Sequence, residues 1–263
     1  MARKYCSSIL FVVVLASILA GPVGPTTPPA RADSSTSSDP TPLHDRWTPT
    51  SKTFLNADGT LTTEEYSSPI QTKDASSATG WSPVSTDLQS TADGLSPEST
   101  PADITISDGT DDAAPIATVA QHGQSIAVAS DGSVPAPSVE GDTATYPDVQ
   151  TGVDETVQAR ASGVEVNYVV DSAADAPTTI EVPLQLDGLT ASLDDQGNLT
   201  LTNQSGAVVG GAEPAQMWGS ATDPSTGEPV VQEPVPTTLE NGPDGPVLVL
   251  TPDYSDPALS YPW

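Results

Sequence analysis

The chain has 263 residues with 35 acidic and 7 basic side chains, which gives a formal charge of −28 at neutral pH. A surface of this sign repels phosphate backbones and anionic headgroups, so nucleic acids and membrane surfaces are excluded as expected partners. The share of Leu, Ile, Val and Phe after Ala32 lies just under the level of roughly 20% below which a highly charged chain tends towards disorder. A core is therefore expected in only part of the chain.

The segment from Met1 to Ala32 has the pattern of a secretory signal peptide. Arg3 and Lys4 precede an apolar run over residues 9–20, and Ala30-Arg31-Ala32 forms an A-x-A cleavage site. The apolar run is shorter than the roughly 20 residues that span a bilayer, although an uncleaved N-terminal anchor stays open as an alternative. The prediction is a secreted protein, extracellular or cell-wall associated, with no membrane contact once cleavage after Ala32 has occurred.

Removal of the signal peptide changes the charge and the redox chemistry of the protein. Four basic residues then face 35 acidic ones, a formal charge of −31. The single cysteine, Cys6, leaves with the signal, so the exported form has no disulfide even in a compartment that allows one. Its stability must come from a hydrophobic core.

The remaining chain divides into three predicted regions. Residues 33–50, rich in Ser, Thr and Pro, are expected to form a disordered linker, and residues 51–142 an N-terminal β region with long loops, one of them over 87–101. Residues 143–263 are expected to form a β-sandwich-like core. Helix is expected essentially in the signal peptide alone, because most of the 27 prolines and 20 glycines of the chain interrupt the rest.

Apolar residues alternate along the predicted strands of the core. Residues 163–170 place Val164, Val166, Tyr168 and Val170 on one face, which is typical of a half-buried strand. A weaker alternation over residues 154–160 precedes it, and together they predict a hairpin. Further strands are predicted over residues 116–120, 125–129, 179–186, 189–193, 198–202, 206–209 and 246–251. Their spacing predicts a mainly β fold, an antiparallel sandwich or barrel-like set of sheets.

Several predicted turns share a polar residue followed by glycine. They occur at Asp58-Gly59, Asp131-Gly132 and Gln196-Gly197, each followed by renewed alternation. Glycine accepts the positive φ that tight hairpins require, so we interpret these segments as structural turns. Glu64 and Glu65, which follow the first turn, are expected to be solvated.

No constellation for catalysis emerges from the sequence. Glu64-Glu65, Asp111-Asp112 and Asp194-Asp195 are adjacent carboxylates of the type used in glycoside hydrolysis, but neighbouring strand residues point to opposite faces. A glycoside hydrolase is therefore a weak alternative, and no catalytic residue is assigned. His44 and His122 are the two histidines, and no G-x-S-x-G motif surrounds any serine.

Calcium and sugars stay open as ligands. Residues 107–112 and 193–198 contain the oxygen donors that calcium prefers, although neither matches an EF-hand loop, so no metal ligand is assigned. No cofactor is expected, and calcium stays open. Among the four tryptophans, Trp81 and Trp218 are the candidates for stacking on a sugar ring. The alternative is that both fill the core.

A set of short segments in fixed order resembles a known kind of protein. The segments are SKTFLNADGT (51–60), YSSPI (66–70), WSPVSTDL (81–88), YPDVQTGVD (146–154), GVEVNYVV (163–170), DQGNL (195–199), PAQMW (214–218), LTPD (250–253) and YP (261–262). This order resembles the N-terminal β module of large secreted actinobacterial proteins that carry RHS/YD repeats, DNRLRE or LamG-like domains, some of them wall-associated or polymorphic toxins. The resemblance runs from about Arg46 to the C-terminus.

The resemblance implies an exported, non-catalytic module that leads or displays downstream domains of a larger polypeptide. Relatives of that kind continue beyond the Tyr-Pro, so this chain is expected to be a truncated front end. A different class of function stays open, namely a free-standing protein that binds cell-wall or environmental glycan, assisted by calcium or not.

Overall fold

The computed structural model describes residues 8–14, 39–111, 114–129, 134–227 and 229–255. These residues form 23 β-strands and one short 3-10 helix, His44–Arg46. In chain order, the strands are β1 (Ser8–Val14), β2 (Thr41–Pro42), β3 (Ser51–Leu55), β4 (Leu61–Glu65), β5 (Gln71–Lys73), β6 (Trp81–Pro83), β7 (Ser85–Thr91), β8 (Gly94–Ser99), β9 (Asp103–Ile106), β10 (Ala117–Gln121), β11 (Gln124–Val128), β12 (Ser138–Glu140), β13 (Thr143–Gln150), β14 (Val153–Arg160), β15 (Gly163–Val170), β16 (Ile180–Asp187), β17 (Leu189–Leu193), β18 (Leu199–Asn203), β19 (Val208–Ala212), β20 (Gln216–Trp218), β21 (Gln232–Pro234), β22 (Thr237–Asn241) and β23 (Pro246–Leu250).

Two large antiparallel sheets contain most of these strands. An eight-stranded sheet has the order β22-β23-β16-β11-β10-β9-β8-β7. A ten-stranded sheet has the order β12-β13-β14-β15-β1-β19-β18-β17, with β20 also paired to β1 and to β21. Strands β2 to β4 and the pair β5-β6 form two small sheets.

The two large sheets share one hydrophobic core. Strand β14 alternates between buried and half-buried residues along its length, so Val153, Val157 and Ala159 point to one face. They join a single cluster with Ile126 and Leu248 of the eight-stranded sheet. The mainly β, antiparallel and sandwich-like fold class is therefore confirmed.

The strongest predicted strands lie where the alternation placed them. Strand β15 spans the predicted residues 163–170, and β14 pairs with it from Val153↔Val170 to Arg160↔Gly163. The predicted hairpin turn at Asp58-Gly59 is also present, because Leu55 pairs with Leu61 and Gly59 has φ +83°. Strand β4, with Glu64 and Glu65, is exposed along its whole length. The predicted turn at residues 130–133 lies outside the described residues.

The predicted loop over residues 87–101 is wrong. Strands β7 and β8 form a hairpin there, from Ser85↔Ser99 to Thr91↔Gly94. Its register shifts between Ser85 and Leu88, beside Pro97. Main-chain pairing holds this hairpin together, and a sequence with one leucine on each strand has no period-two signal to predict it.

Ordered structure begins earlier than the sequence indicated. The 3-10 helix and β2 lie inside residues 33–50, and Leu43 N–H donates to the Thr53 carbonyl at 2.9 Å. Residues 33–38 are outside the described part. The predicted division at 142/143 falls inside the two-sheet core, because β11 pairs with β16 across it.

Residues 8–14 form a strand, whereas the sequence predicts that helix is concentrated in this segment. Ile9, Val12, Val13 and Val14 are β-branched, a side-chain type that favours strands when a pairing edge is available. Ala32, the predicted cleavage residue, lies outside the described residues.

Candidate functional site

Aspartates at the turns accept hydrogen bonds from the residues that follow them. Asp58 Oδ1 accepts from the Thr60 N–H at 2.9 Å and from the Thr60 hydroxyl at 2.6 Å. Asp108 makes the same pair of contacts with Thr110 at 3.0 and 2.6 Å. The side-chain hydrogen bond is the largest cause that lowers the pKa of both carboxyls, and the backbone bond adds to it.

The same arrangement recurs at other turns of the molecule. Asp194 accepts from the backbone and side chain of Asn198 and from the Gln196 N–H. Asp223 accepts from the N–H and hydroxyl of Ser225 at 2.7 and 2.5 Å. These carboxylates are fixed as charged turn acceptors, which is the opposite of what a general acid needs.

One carboxyl group is buried instead of exposed. Glu155 lies in the middle of β14, opposite Tyr146 of β13 and Tyr168 of β15, and is 3% exposed. Burial raises the pKa of Glu155 to about 7, partly offset by the hydrogen bond that it receives from the Tyr168 hydroxyl. Tyr146 is fully buried and donates to the Ser107 carbonyl at 2.6 Å. Glu155 is thus enclosed by the core, between the two buried tyrosines.

The sequence contained a signal for this buried glutamate. Glu155 stands between Val153 and Val157, at the same parity of the strand, so the alternation itself places it on the core face.

A polar groove opens between the small sheet of β5-β6 and the edge of the eight-stranded sheet. It has a volume of about 900 Å³, and its lining contains seven serines and threonines on both sides. Asp74, Glu98 and Asp103 supply carboxylates. Ser82 donates to Asp74 at 2.5 Å and Ser85 to Glu98 at 2.9 Å. Hydrogen bonds, first of all from the Ser76 hydroxyl, lower the pKa of Asp74 to about 2.

The two tryptophans proposed for sugar stacking lie in different sheets. Trp81 of β6 is 5% exposed, donates from Nε1 to the His44 carbonyl at 3.0 Å, and has Lys73 Nζ 3.9 Å from its ring centroid. Its ring is therefore enclosed by protein. Trp218 of β20 is half-buried in the ten-stranded sheet, where β20 lies between β1 and β21. The sugar-stacking hypothesis thus depends on Trp218.

Strand β1 occupies a gap between two parts of the ten-stranded sheet. On one side it pairs with β15 along its whole length, from Ser8↔Val169 to Val14↔Gly163. On the other side Ser8 to Leu10 pair with β20, and Val13 and Val14 pair with β19. We call this gap, bounded by β15 on one side and by β19 and β20 on the other, the strand slot. Residues that the sequence assigns to a removable signal peptide thus complete the sheet.

The other candidate groups do not converge in the described parts of the chain. His44 packs edge-on against Trp47 with ring centroids 4.4 Å apart, and His122 adopts φ +53° in the β10-β11 turn. Among the described residues, no three His, Cys, Asp or Glu side chains are arranged to hold a metal ion. Asp112 lies outside those residues.

No helix within the described ranges has the length and apolarity needed to cross a membrane. No protein-family model, curated protein or solved structure matches this chain. Its two antiparallel sheets around one core define it as a sandwich-like β protein.

Proposed function

We propose that this protein is a secreted, non-catalytic structural module that displays downstream domains of a larger polypeptide at the cell surface. The observation that carries the proposal is the way in which its carboxylates are hydrogen-bonded or buried. Turn aspartates are hydrogen-bonded as anions, and the carboxyl with the raised pKa, Glu155, is enclosed by the core. Glycoside hydrolysis needs an accessible carboxylic acid beside a second carboxylate. The arrangement instead supports a role in building turns and keeping the surface charged.

High negative charge suits a module of this kind. Self-repulsion keeps the exported chain soluble and monomeric, and its turns are fixed by short local hydrogen bonds that do not depend on a metal or a disulfide. The module would act as a folded spacer between the cell envelope and the domains that it carries.

An export and display experiment tests this proposal. A reporter enzyme is fused after Trp263 and produced in a Gram-positive host. We expect the reporter to be active outside the cell and accessible to antibody. In the same experiment, purified protein should cleave no polysaccharide from a substrate panel. Cleavage that is lost in the Glu98→Gln variant would contradict a non-catalytic role.

A second candidate function is carbohydrate binding, which the polar groove favours. Hydroxyls and carboxylates that line an open groove are typical donors and acceptors for sugar hydroxyls. A glycan array with the exported protein, with and without calcium, separates this alternative from the display role. Binding that falls in Asp103→Asn but not in the exposed Glu65→Gln control would favour the groove, and loss in Trp218→Ala would favour stacking.

A further inference from the structure

The segment Ser8–Val14 cannot serve at once as a signal peptide and as a strand of the folded exported protein. A signal peptide is bound by the export machinery and removed after translocation, and β1 lies at the centre of a sheet. Cleavage after Ala32 would therefore leave β15 unpaired along one edge. It would also leave β20 and part of β19 without their partner.

An empty strand slot is costly because the main-chain groups of β15, β19 and β20 that face β1 would lose their partners. With β1 in place, Val166 and Val170 of β15 are fully buried. Backbone N–H and C=O groups in such surroundings need hydrogen-bond partners. The slot cannot close easily, since strands lie about 4.8 Å apart and one half of the sheet would have to move by that distance across the shared core.

By their sequence alone, the segments after Ala32 that lie outside the described ranges do not offer a spare strand of the right kind. They are residues 33–38, which are polar, two short internal segments, Glu228, and residues 256–263. Pro257 and Pro262 interrupt the last of these. Proline cannot donate to the ladder and is excluded from central strands. The occupant must therefore come from other polypeptide.

A chain of contacts connects the end of β23 to β20, a border of the strand slot. Thr251, just after β23, donates from its N–H to the Pro236 carbonyl at 2.9 Å, and the adjacent Val235 donates to the Ala215 carbonyl at 2.7 Å. Ala215 immediately precedes β20, which borders the slot. Eight residues, 256–263, follow Ser255, and a fully extended stretch of eight residues covers up to about 26–29 Å. Polypeptide attached after Trp263 is thus within reach of the slot.

The edges of the slot specify the chemistry of the occupant. On the core face, the exposed edge presents Val164, Val166 and Tyr168, so apolar residues are needed opposite them. On the other face, Asn167 Oδ1 is buried and accepts no hydrogen bond from any described residue. Its Nδ2 donates to Thr156 and Glu165, both at 3.3 Å. A hydroxyl or amide opposite Asn167 would satisfy that oxygen.

We propose that, in the exported protein, the strand slot binds an extended, proline-free strand from the polypeptide that the module displays. This inference rests on the proposed display function. The strand is apolar at alternate positions and carries a hydrogen-bond donor opposite Asn167. It adds to β15 by main-chain pairing, the mode of recognition called β-augmentation, and it takes the place that β1 holds before export.

The test uses the processed protein recovered from culture medium and a synthetic peptide of Ser8–Val14 with two lysines at each end for solubility. We expect the mass of the protein to show that Ser8–Val14 is absent and the peptide to bind one to one. A peptide with Phe11→Pro should not bind, because proline has no main-chain N–H to donate in mid-strand. A peptide with Leu10→Thr should bind about three- to tenfold more tightly than its isosteric match Leu10→Val, since threonine can donate to Asn167.

Register is tested by disulfide formation, which is specific because the exported chain has no cysteine of its own. Asn167→Cys should form a disulfide with a Leu10→Cys peptide, its direct register partner, and not with a Phe11→Cys peptide, which lies opposite Val166. Glu165→Cys with a Val12→Cys peptide provides a second, independent pair. Cross-linking of both registers to equal extent would overturn the proposed pairing.

Other outcomes distinguish a displayed strand in the slot from the alternatives of a retained β1 or a second copy of this chain. Retention of Ser8–Val14 in the exported protein, a strand-exchanged dimer of this chain, or a folded protein that takes up no peptide would each overturn the inference. Failure of peptide binding with normal display of the reporter would leave the proposed function intact. Polysaccharide cleavage or groove-dependent glycan binding would instead contradict the proposed function.

Discussion

The two large sheets of this protein differ in where their central strands come from. Every strand of the eight-stranded sheet lies between Ser85 and Leu250, and its central β16 is paired on both edges by β11 and β23. The ten-stranded sheet has β1 at its centre, from a segment that is distant in sequence from its partner β15 and predicted to be removed on export. The eight-stranded sheet is therefore complete without residues 8–14, whereas the ten-stranded sheet includes a strand from the segment that the sequence assigns to a signal peptide.

This difference indicates that the two sheets rely on β1 to different extents. The complete sheet provides half of the shared core, with Ile106, Leu184 and Leu248 fully or almost fully buried. In the proposed exported form, it is the sheet that keeps all of its strand pairing. A sheet edge without a partner is also a template for pairing with other chains, so filling the slot protects the protein from association.

The largest expected effect comes from the complete sheet. Leu248 of β23 is fully buried, and Leu248→Ala removes its contacts and leaves a cavity. We expect the free energy of unfolding in urea to fall by about 2–5 kcal/mol. The matched control is Leu61→Ala on the exposed β4 hairpin, where Leu61 is 50% exposed, and the change should stay within about 0.5 kcal/mol. Equal losses at both sites would contradict the assignment of the core.

A pH-dependent effect should mark the ten-stranded sheet. The pKa of Glu155 is about 7 in the folded protein against 4.5 for an ordinary glutamate, so the folded state holds its proton while the unfolded state loses it. The stability that this group contributes is complete below pH 4.5 and is lost as the pH rises to 7. The loss amounts to about 3 kcal/mol.

Glu155→Gln isolates that contribution because glutamine does not titrate. Between pH 4.5 and 7, the unfolding free energy of the wild-type protein should fall relative to that of Glu155→Gln. Glu65→Gln on the exposed β4 is the matched control and should keep the wild-type slope. Parallel curves for the wild type and Glu155→Gln would show that this carboxyl is not buried.

A smaller effect is expected at a glycine of the β7-β8 hairpin. Gly94 has φ +123°, and a Cβ there would lie 2.6 Å from the Ile106 carbonyl oxygen. Gly94→Ala should therefore cost about 2 kcal/mol, from the backbone conformation and the contact together. Gly59→Ala, with φ +83° and open space around it, should lower the free energy of unfolding by about 1 kcal/mol. Both variants are compared with the wild type by urea unfolding. A larger cost at Gly59 than at Gly94 would be inconsistent with a paired β7-β8 edge.

The smallest effect is expected at the surface of β15. Arg160 forms an ion pair with Glu165 near the strand slot, and the Arg160 side chain is 45% exposed. Arg160→Met should lower the unfolding free energy by less than about 1 kcal/mol, and the difference should shrink in high salt. Lys52→Met, on β3 outside the large sheets, is the control. If Arg160→Met lowered the unfolding free energy by more than about 2 kcal/mol, the ion pair would be far less solvated than the structure indicates.

The sequence predicts those parts of the fold whose strands have one buried and one solvated face. The alternation of Val164, Val166 and Tyr168 places β15 correctly because each residue does face the core. It fails for β7 and β8, a mostly polar hairpin in which main-chain pairing and not apolar alternation decides the structure. The polar groove could not be predicted either, since its serines and threonines come from segments that only tertiary contacts bring together.

The sequence could not predict the strand slot, for a different reason. Apolar residues 9–20 fit both a signal peptide and a buried strand, and periodicity cannot separate the two. Glu155 was within reach, because its position between Val153 and Val157 follows from strand parity alone. The burial of Trp81 could not be predicted from the sequence, because it depends on contacts with the carbonyl of His44 and the ammonium of Lys73.

Amide hydrogen exchange across β15 in the exported protein tests the dependence of the ten-stranded sheet most directly. Without peptide, alternate amides of Gly163–Val170, those that point away from β14, should exchange at least about 100-fold faster than those of β16, which is paired on both edges. Addition of the Ser8–Val14 peptide should bring them to the protection of β16. Full protection of every β15 amide in the exported protein without peptide would contradict the account.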